Sequence, residues 1–558
     1  MIELRFCHIG RLSLLANFEV LLSKLVSSHW WSVFFVLFFP LFIMYVYSDF
    51  IRSSELNSRL GWLILLGGLA YLFRHTVLQK ILLGVIFLFA ISGSMDIVYA
   101  ITFGGVFVSA TFEAIALTDK QEALEFLHAY ISYENVFILL LYWVIAFYSL
   151  KRILFKEAEL TREKVFAGLG ILMVIAAIQQ IYDRGRSFDV IPGFTGVAID
   201  YSKGHEAIEK VIENRKKLYQ NSSFKAQLMT NNSQTYVVAI GESLGRKHMS
   251  LYGYTRETTP NLDAVKSESV VFRNTIAAFA QTSQSLSVNL TEKDTVNQKP
   301  LSESLSLVGV FKRAGFKTFW ISNQQPLRMP TKPMAKIADE QHFVSHDFHG
   351  VEVNRYDGYM LPAIKKAIND EAKHKVIFVH LMGSHLQYEN RYPAERIIFK
   401  DTKGIQAYSQ ELSNSQVDYI NAYDNSVHYT DFVLGEVLKE LKSTNNIAAL
   451  TFWADHGEEV FDVKDFKGHS PDGVTKPMLE IPFIFWRNQK YKTEFQDVDD
   501  VISTHEQSLI MLDDFFHIAQ CLMPVESELI EKDKSLCLGE YTTKPRVVYG
   551  KDYDKGLK

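Results

Sequence analysis

Two short clusters in this 558-residue chain bring together residue types that do phosphoryl chemistry. In the first, an apolar run ends in Gly241-Glu242-Ser243, so that a carboxylate and a hydroxyl leave a strand and face the start of a helix. A carboxylate there can hold a cation while helix-terminal N–H groups attract a phosphate. In the second, another apolar run ends in Trp453-Ala454-Asp455-His456-Gly457-Glu458. Adjacent Asp and His supply one oxygen and one nitrogen ligand, and with Glu242 and the Ser243 oxygen they make a tetrahedral set suited to zinc. A metal beside Ser243 would lower the proton affinity of its hydroxyl and make it a nucleophile at neutral pH. His385, in His380-Leu381-Met382-Gly383-Ser384-His385, and His469, in Lys467-Gly468-His469, are placed to hold a transferred phosphoryl group, to protonate a leaving oxygen or to bind a second metal.

Such residues need strand ends to carry them, and the chain provides these. The β-branched and aromatic runs at 235–240, 318–321, 375–380, 449–453 and 482–486 alternate with helical segments. Near-continuous apolar strands separated by helices predict a largely parallel sheet covered on both faces, where ligands gather at the carboxyl ends of the strands.

The first third of the chain reads differently. Long apolar runs predict membrane spans near 30–48, 60–78, 80–99, 134–150 and 165–183, with 100–117 as a re-entrant or interfacial segment. Lys and Arg crowd alternate connections: Arg5, Arg11 and Lys24, then Arg74 and Lys80, then Lys151, Arg152, Lys156, Arg162 and Lys164. The positive-inside rule puts those connections in the cytoplasm and everything after residue 184 on the other side. Asp96 falls inside the third span, either as a functional group or as a carboxylate paired or wet near the outer interface. The expected organisation is a membrane domain over 1–184, an interfacial helix and linker over 185–234, and a catalytic domain over 235–558. Of the three cysteines, Cys521 and Cys537 share the oxidising side and are expected to pair. A net charge of −5 without basic clusters argues against nucleic acid as a partner.

In order along the chain, GlyGluSer with SerLeuTyrGlyTyr and ThrThrPro, HisLeuMetGlySerHis with Tyr388 and Arg391-Tyr392-Pro393, AsnAlaTyrAspAsnSer at 421–426, AspHisGlyGlu and GlyHis at 468–469 resemble the phosphoethanolamine transferases of Gram-negative inner membranes, members of the alkaline phosphatase/sulfatase superfamily. The resemblance implies an α-helical transmembrane bundle plus an α/β alkaline phosphatase/sulfatase-like catalytic domain in the periplasm. It implies Ser243 as the nucleophile, zinc on Glu242, Ser243, Asp455 and His456 (one ion tightly bound, a second possible), and His385 and His469 beside the phosphoryl group. His380 is an accessory residue or a buried strand-end histidine. The expected donor is phosphatidylethanolamine. The expected acceptor is an envelope glycan, lipopolysaccharide core or lipid A, with a periplasmic glucan as the alternative, and the expected state is a monomer. A glycerophosphate transferase using phosphatidylglycerol is the rival within the same chemistry, and a non-catalytic membrane scaffold the rival outside it. A sulfatase is excluded because Ser243-Leu244-Gly245-Arg246 lacks the pattern needed for formylglycine. Residues 421–426 match a block to which the sequence alone assigns no physical role.

Overall fold

The computed structural model describes residues 29–48, scattered positions between 59 and 76, 77–103, 132–155, 213–214 and 217–557, apart from 298, 325–330, 346–355, 410 and 539–540. The chain divides into two compact units, Met1–His205 and Glu206–Lys558.

In the first unit α1 (His29–Ser48), α2 (Val77–Phe103) and α3 (Tyr133–Phe155) pack together. Each lies over one of the apolar runs read as spans, 30–48, 80–99 and 134–150. Val77–Phe103 and Tyr133–Ile153 are long and apolar enough to cross a membrane, and the apolar stretch Trp31–Tyr47 of α1 is shorter. The expected fifth span, the segment 104–117 and most of the second span and of the linker lie outside the described residues. The three helices meet at Gly93, where a Cβ would stand 2.5 Å from the Tyr142 hydroxyl and 2.6 Å from the Pro40 ring. Only a glycine admits that approach. Tyr142 donates to Val36 O at 2.9 Å.

The second unit is built on a seven-stranded sheet. Its strands are β1 (Gln234–Gly241), β2 (Ser269–Val271), β3 (Lys317–Ser322), β4 (Glu340–Phe343), β5 (His374–His380), β6 (Ile447–Ala454) and β7 (Phe483–Arg487), in the order β2-β7-β6-β1-β5-β3-β4. All five strands expected from the sequence are in it. The four pairings from β6 to β4 are parallel, and β7 runs antiparallel to β6 and β2. Every residue of β1 and β6 is buried, as strands covered on both faces require. Ala226–Leu228, within the expected linker, is itself a strand, paired with Val525–Ser527.

Register positions the site. Ile240 lies opposite both His380 and Trp453, and Gly241 opposite Ala454. Three neighbouring strands therefore end at one level, and Glu242 and Asp455 emerge side by side. Two helices complete the surround: α4 (Thr282–Asn289), and α5 (Asn414–Ser443), which a Ser413–Gln416 capping box starts.

Candidate active site and metal centre

The turn after β1 is held on every side. Ser243 has φ +53, a left-handed conformation that a non-glycine residue adopts at a cost. Its N–H donates to Asp455 Oδ1 at 3.0 Å. Tyr423 of α5 donates to Ser243 O at 2.8 Å and accepts from Gly245 N–H at 2.9 Å. From the other flank Ser384 N–H donates to Glu242 O at 3.0 Å. Gly383, at φ +53, lies so close that a Cβ would stand 2.8 Å from the same oxygen. That loop is cradled by Asp357, whose carboxylate accepts from Met382 N–H at 2.8 Å and Gly383 N–H at 2.9 Å.

Inside this frame Glu242, Asp455 and His456 converge, each at most 1% exposed. Their ligand atoms lie within 4.8 Å of one another. His456 Nε2 is 3.5 Å from Glu242 Oε1 and 3.5 Å from Asp455 Oδ2. A tetrahedral shell with zinc–ligand bonds near 2.0–2.1 Å spaces its ligand atoms by about 3.3–3.4 Å, so both carboxylates already stand from His456 at close to the spacing a bound ion needs. Asp455 Oδ2 is buried and accepts no hydrogen bond from any of the described residues, an orphaned lone pair beside His456 Nε2. The electrostatics agree. Burial pushes the Asp455 carboxyl up and the neighbouring Glu242 charge pushes it further. Burial works the same way on Glu242, where the hydrogen bond and charge of His456, aided by His385 and His380, outweigh it and hold that carboxylate low. Burial disfavours a charged His456, but Asp455, Glu242 and Glu458 raise it to about 10. Two buried carboxylates compete for one positive partner, and a divalent cation would relieve both. The residues present therefore fit zinc.

The fourth vertex has two hydroxyl candidates. Ser243 Oγ donates to Glu242 Oε1 at 3.0 Å, but its side chain is wholly buried. Thr282, the first residue of α4, is only half-buried, and its hydroxyl reaches Glu242 Oε1 at 3.0 Å, Glu242 Oε2 at 3.3 Å and His456 Nε2 at 3.5 Å. It stands near enough to Asp455 to bear on that carboxyl as well, favouring its charged form. Thr282 thus touches Glu242 and His456 and lies beside Asp455, at a helix N-terminus where N–H groups can meet a phosphate. The sequence reading missed it. The available signal was the hydroxyl-rich run Thr282-Ser283-Gln284-Ser285 opening a short helical period at Leu286, Val288 and Leu290.

The other expected residues stand around this centre. The His469 ring lies 4.1 Å, centroid to centroid, from that of His456. Its Nδ1 is 2.8 Å from Glu458 Oε2, and Tyr388 donates to Glu458 Oε1 at 3.0 Å, so Nε2 is the nitrogen left to face a substrate. His456, Glu458 and His469 form a second group with metal-ligand geometry. His385 is fixed through its backbone, its carbonyl accepting from Arg391 Nε at 3.1 Å, and its imidazole is near enough to lower Glu242. His380 is 2% exposed at the end of β5 and bears on Glu242 in the same way. Gln324, which the sequence reading did not single out, donates to Glu242 Oε2 at 3.3 Å.

An open α/β sheet with a cation-binding carboxylate–imidazole cluster at its carboxyl edge, beside a hydroxyl on a helix N-terminus, defines a metal-dependent phosphoryl- or sulfuryl-processing domain. The chain belongs to the sulfatase family, whose signature matches residues 234–522. Over 485 residues, 82% of either chain, it is 29% identical to phosphoethanolamine transferase EptC of Escherichia coli (strain K12). It is 34% identical over 286 residues, 49% of each chain, to phosphoethanolamine transferase CptA of Salmonella typhimurium. The C-terminal periplasmic domain of E. coli EptC, solved in complex with Zn, superposes with a TM-score of 0.54 at 30% identity over 60% of this chain and 96% of that one. The integral membrane lipooligosaccharide phosphoethanolamine transferase A from Neisseria meningitidis shares the fold over 92% of this chain and 98% of its own, with a TM-score of 0.64 at 17% identity. The family and fold expected from the sequence motifs are those found.

Proposed function

We propose that the protein transfers phosphoethanolamine from phosphatidylethanolamine to a lipopolysaccharide core or lipid A acceptor, through a covalent phosphothreonine-type intermediate on Thr282. The observation that carries this is the Thr282 hydroxyl set among Glu242, Asp455 and His456 on an accessible helix N-terminus. The same observation moves the nucleophile from Ser243, where the sequence reading puts it. A hydroxyl wholly enclosed behind the Tyr423 clamp has no approach line for a lipid phosphate. Ser243 then serves to lock the turn that carries Glu242.

Zinc held by Glu242, Asp455, His456 and the Thr282 hydroxyl would supply positive charge that lowers the hydroxyl's proton affinity and offsets charge on the transferring phosphoryl group. Thr282 Oγ1 bonds to phosphorus as the bond from phosphorus to the diacylglycerol oxygen breaks. The proton lost by Thr282 is balanced by the one the departing diacylglycerol oxygen takes up, and His469 is poised to deliver it through Nε2 with Glu458 fixing its ring. In the second step an acceptor oxygen bonds to phosphorus as the bond from phosphorus to the Thr282 oxygen breaks, and the same imidazole takes the acceptor's proton and returns one to Thr282, restoring its hydroxyl. His385 neutralises phosphoryl oxygens on the side of the β5 loop. The integral-membrane character of one relative and the periplasmic catalytic domain of another extend here to a protein anchored in the bacterial inner membrane with its catalytic unit in the periplasm, acting as a monomer.

The test is donor cleavage in detergent with fluorescent phosphatidylethanolamine, following diacylglycerol release and intact protein mass in the wild type, Thr282→Ala and Ser243→Ala. Wild type is expected to gain one phosphoethanolamine. Thr282→Ala should gain none and lose at least about 1000-fold in diacylglycerol release, whereas Ser243→Ala should retain the adduct at reduced rate. An adduct on Thr282→Ala that vanishes in Ser243→Ala returns the nucleophile to Ser243. Cleavage of phosphatidylglycerol instead would assign a glycerophosphate donor.

A further inference from the structure

Residues Val547–Val548 and Lys551–Asp552 pair as an antiparallel hairpin, past residue 522, where the match to the sulfatase family ends. Its two-residue turn is Tyr549-Gly550, with φ +50 and +76. Turns of this hand suit Asn, Asp and Gly, so a tyrosine at the first position is held there against its backbone preference. That conformation sets the Tyr549 ring edge-on to Phe279, with centroids 6.0 Å apart. It brings the hydroxyl to the backbone ahead of α4. Ala280 N–H donates to the Tyr549 oxygen at 3.1 Å, and the Tyr549 hydroxyl faces Gln284 Oε1 at 3.5 Å. Ala280 and Gln284 each lie two residues from Thr282, on opposite sides of it.

The hairpin is anchored on both flanks and beneath. Arg546 Nη1 donates to Asn274 O at 2.6 Å, and Tyr553 donates to Glu480 Oε1 at 2.7 Å. Val548, 1% exposed, packs in a small core with Ile276, Ala278 and Ala280. The loop from 277 to 281 has further holds in Ala277 N–H to Leu479 O at 2.8 Å and Ser285 Oγ to Phe279 O at 2.9 Å. Thr282 itself meets Glu242 and His456, and the Tyr549 contact holds the backbone two residues before it from the hairpin.

We infer that Tyr549 is a positioning residue for the transfer: through the Ala280 N–H it fixes the start of α4 and so the direction of the Thr282 hydroxyl toward Glu242 and His456. This rests on the reading of Thr282 as the group that carries phosphoethanolamine. A nucleophile displaced by a fraction of an ångström loses rate without losing substrate affinity.

The test uses the full chain in detergent with fluorescent phosphatidylethanolamine, comparing wild type, Tyr549→Phe, Tyr553→Phe and Thr282→Ala for adduct formation, KM, zinc content and melting temperature. Tyr549→Phe keeps the ring and deletes the oxygen. Loss of one neutral hydrogen bond at the turn is expected to slow adduct formation about three- to tenfold at saturating donor, with KM and zinc content unchanged. Tyr553→Phe loosens the same segment at the Glu480 side chain, a hydrogen bond that involves neither Ala280 nor Gln284, and should form the adduct at the wild-type rate. A Tyr549→Phe protein as fast as wild type overturns the inference, as does equal slowing of both phenylalanine variants with a common fall in melting temperature. Adduct formation by Thr282→Ala would instead overturn the nucleophile reading, and that result is read independently of the Tyr549→Phe rate.

Discussion

Asn421, Tyr423, Asp424, Asn425 and Ser426 show why a motif can be visible in a sequence and mute there. Each side chain works on a segment far away in the chain. Tyr423 bridges Ser243 O and Gly245 N–H, Asn425 Oδ1 accepts from Ile398 N–H at 2.8 Å and Phe399 N–H at 2.9 Å, and Ser426 Oγ donates to Ser384 Oγ at 2.8 Å. Asp424 gathers the block after Glu242: His248 Nδ1 at 2.6 Å, Arg256 Nη1 at 2.7 Å and the Tyr254 hydroxyl at 2.9 Å. One turn of α5 thus organises three loops around the site, and no local pattern could reveal it. His248 carries a pH consequence. Burial disfavours its charged form, but Asp462 and Asp424 outweigh burial and raise it to about 10, with Tyr254 against the same carboxylate. A histidine raised from about 6.5 in the unfolded chain contributes stability that is whole below that pH and is lost as pH rises through about 10. The melting temperature of the wild type should therefore decline between pH 7 and 10. His248→Gln should melt lower at pH 7 and decline less steeply over the same interval, and parallel profiles would remove the assignment.

At the scale of elements, strand positions were legible because buried parallel strands are near-continuous apolar runs, and all five predicted ones lie in the sheet. The short strands Ser269–Val271 and Glu340–Phe343 were not, since three or four residues, with Glu340 and Gln341 exposed, carry no such run. Thr282 was missed for a related reason. It meets Glu242 across 40 residues of chain, and nothing in Gln281-Thr282-Ser283 marks a ligand until the loop before α4 is folded against the hairpin at 547–552. Asp96 is answered in the described helices. It sits in α2 paired with Arg59, Nη2 to Oδ2 at 2.7 Å with both side chains 2% exposed, while Arg59 Nη1 donates to Leu37 O at 2.8 Å. The pair ties the chain before α2 to both α1 and α2. Removing one partner strands a buried charge and costs about 3–5 kcal/mol. Asp96→Ala should accordingly lower the yield of folded protein and its melting temperature in detergent. The exchange Arg59→Asp with Asp96→Arg should recover part of the loss, and no recovery would mean that Asp96 matters for something other than the pair.

For the whole molecule, the proposed reaction predicts a division of work between the two compact units, with the chemistry needing only the second and access to a lipid donor needing both. Every residue placed at the centre, from Glu242 to His469, and the Tyr549 hairpin belong to Glu206–Lys558. So does the Cys521–Cys537 disulfide, whose Cα atoms are 5.8 Å apart and which closes a loop carrying Lys534 to Asp294 at 2.7 Å. A fragment spanning 206–558 is therefore expected to fold alone and to take up zinc. Its melting temperature should rise with added zinc and fall with a chelator, because an ion that binds only the folded state stabilises it by mass action. Asp455→Asn should blunt that response by replacing the orphaned oxygen's charge. On a short-chain, water-soluble phosphatidylethanolamine the fragment should form the adduct at a rate within about tenfold of the full chain. On the same headgroup in vesicles it should fall behind by a factor of about 100 or more, since the anchored protein meets its donor at a local concentration that a free fragment lacks. Equal rates on vesicles would show that the first unit does something other than hold the catalytic unit to its substrate. A fragment that fails even on the soluble donor would place part of the active site in the first unit.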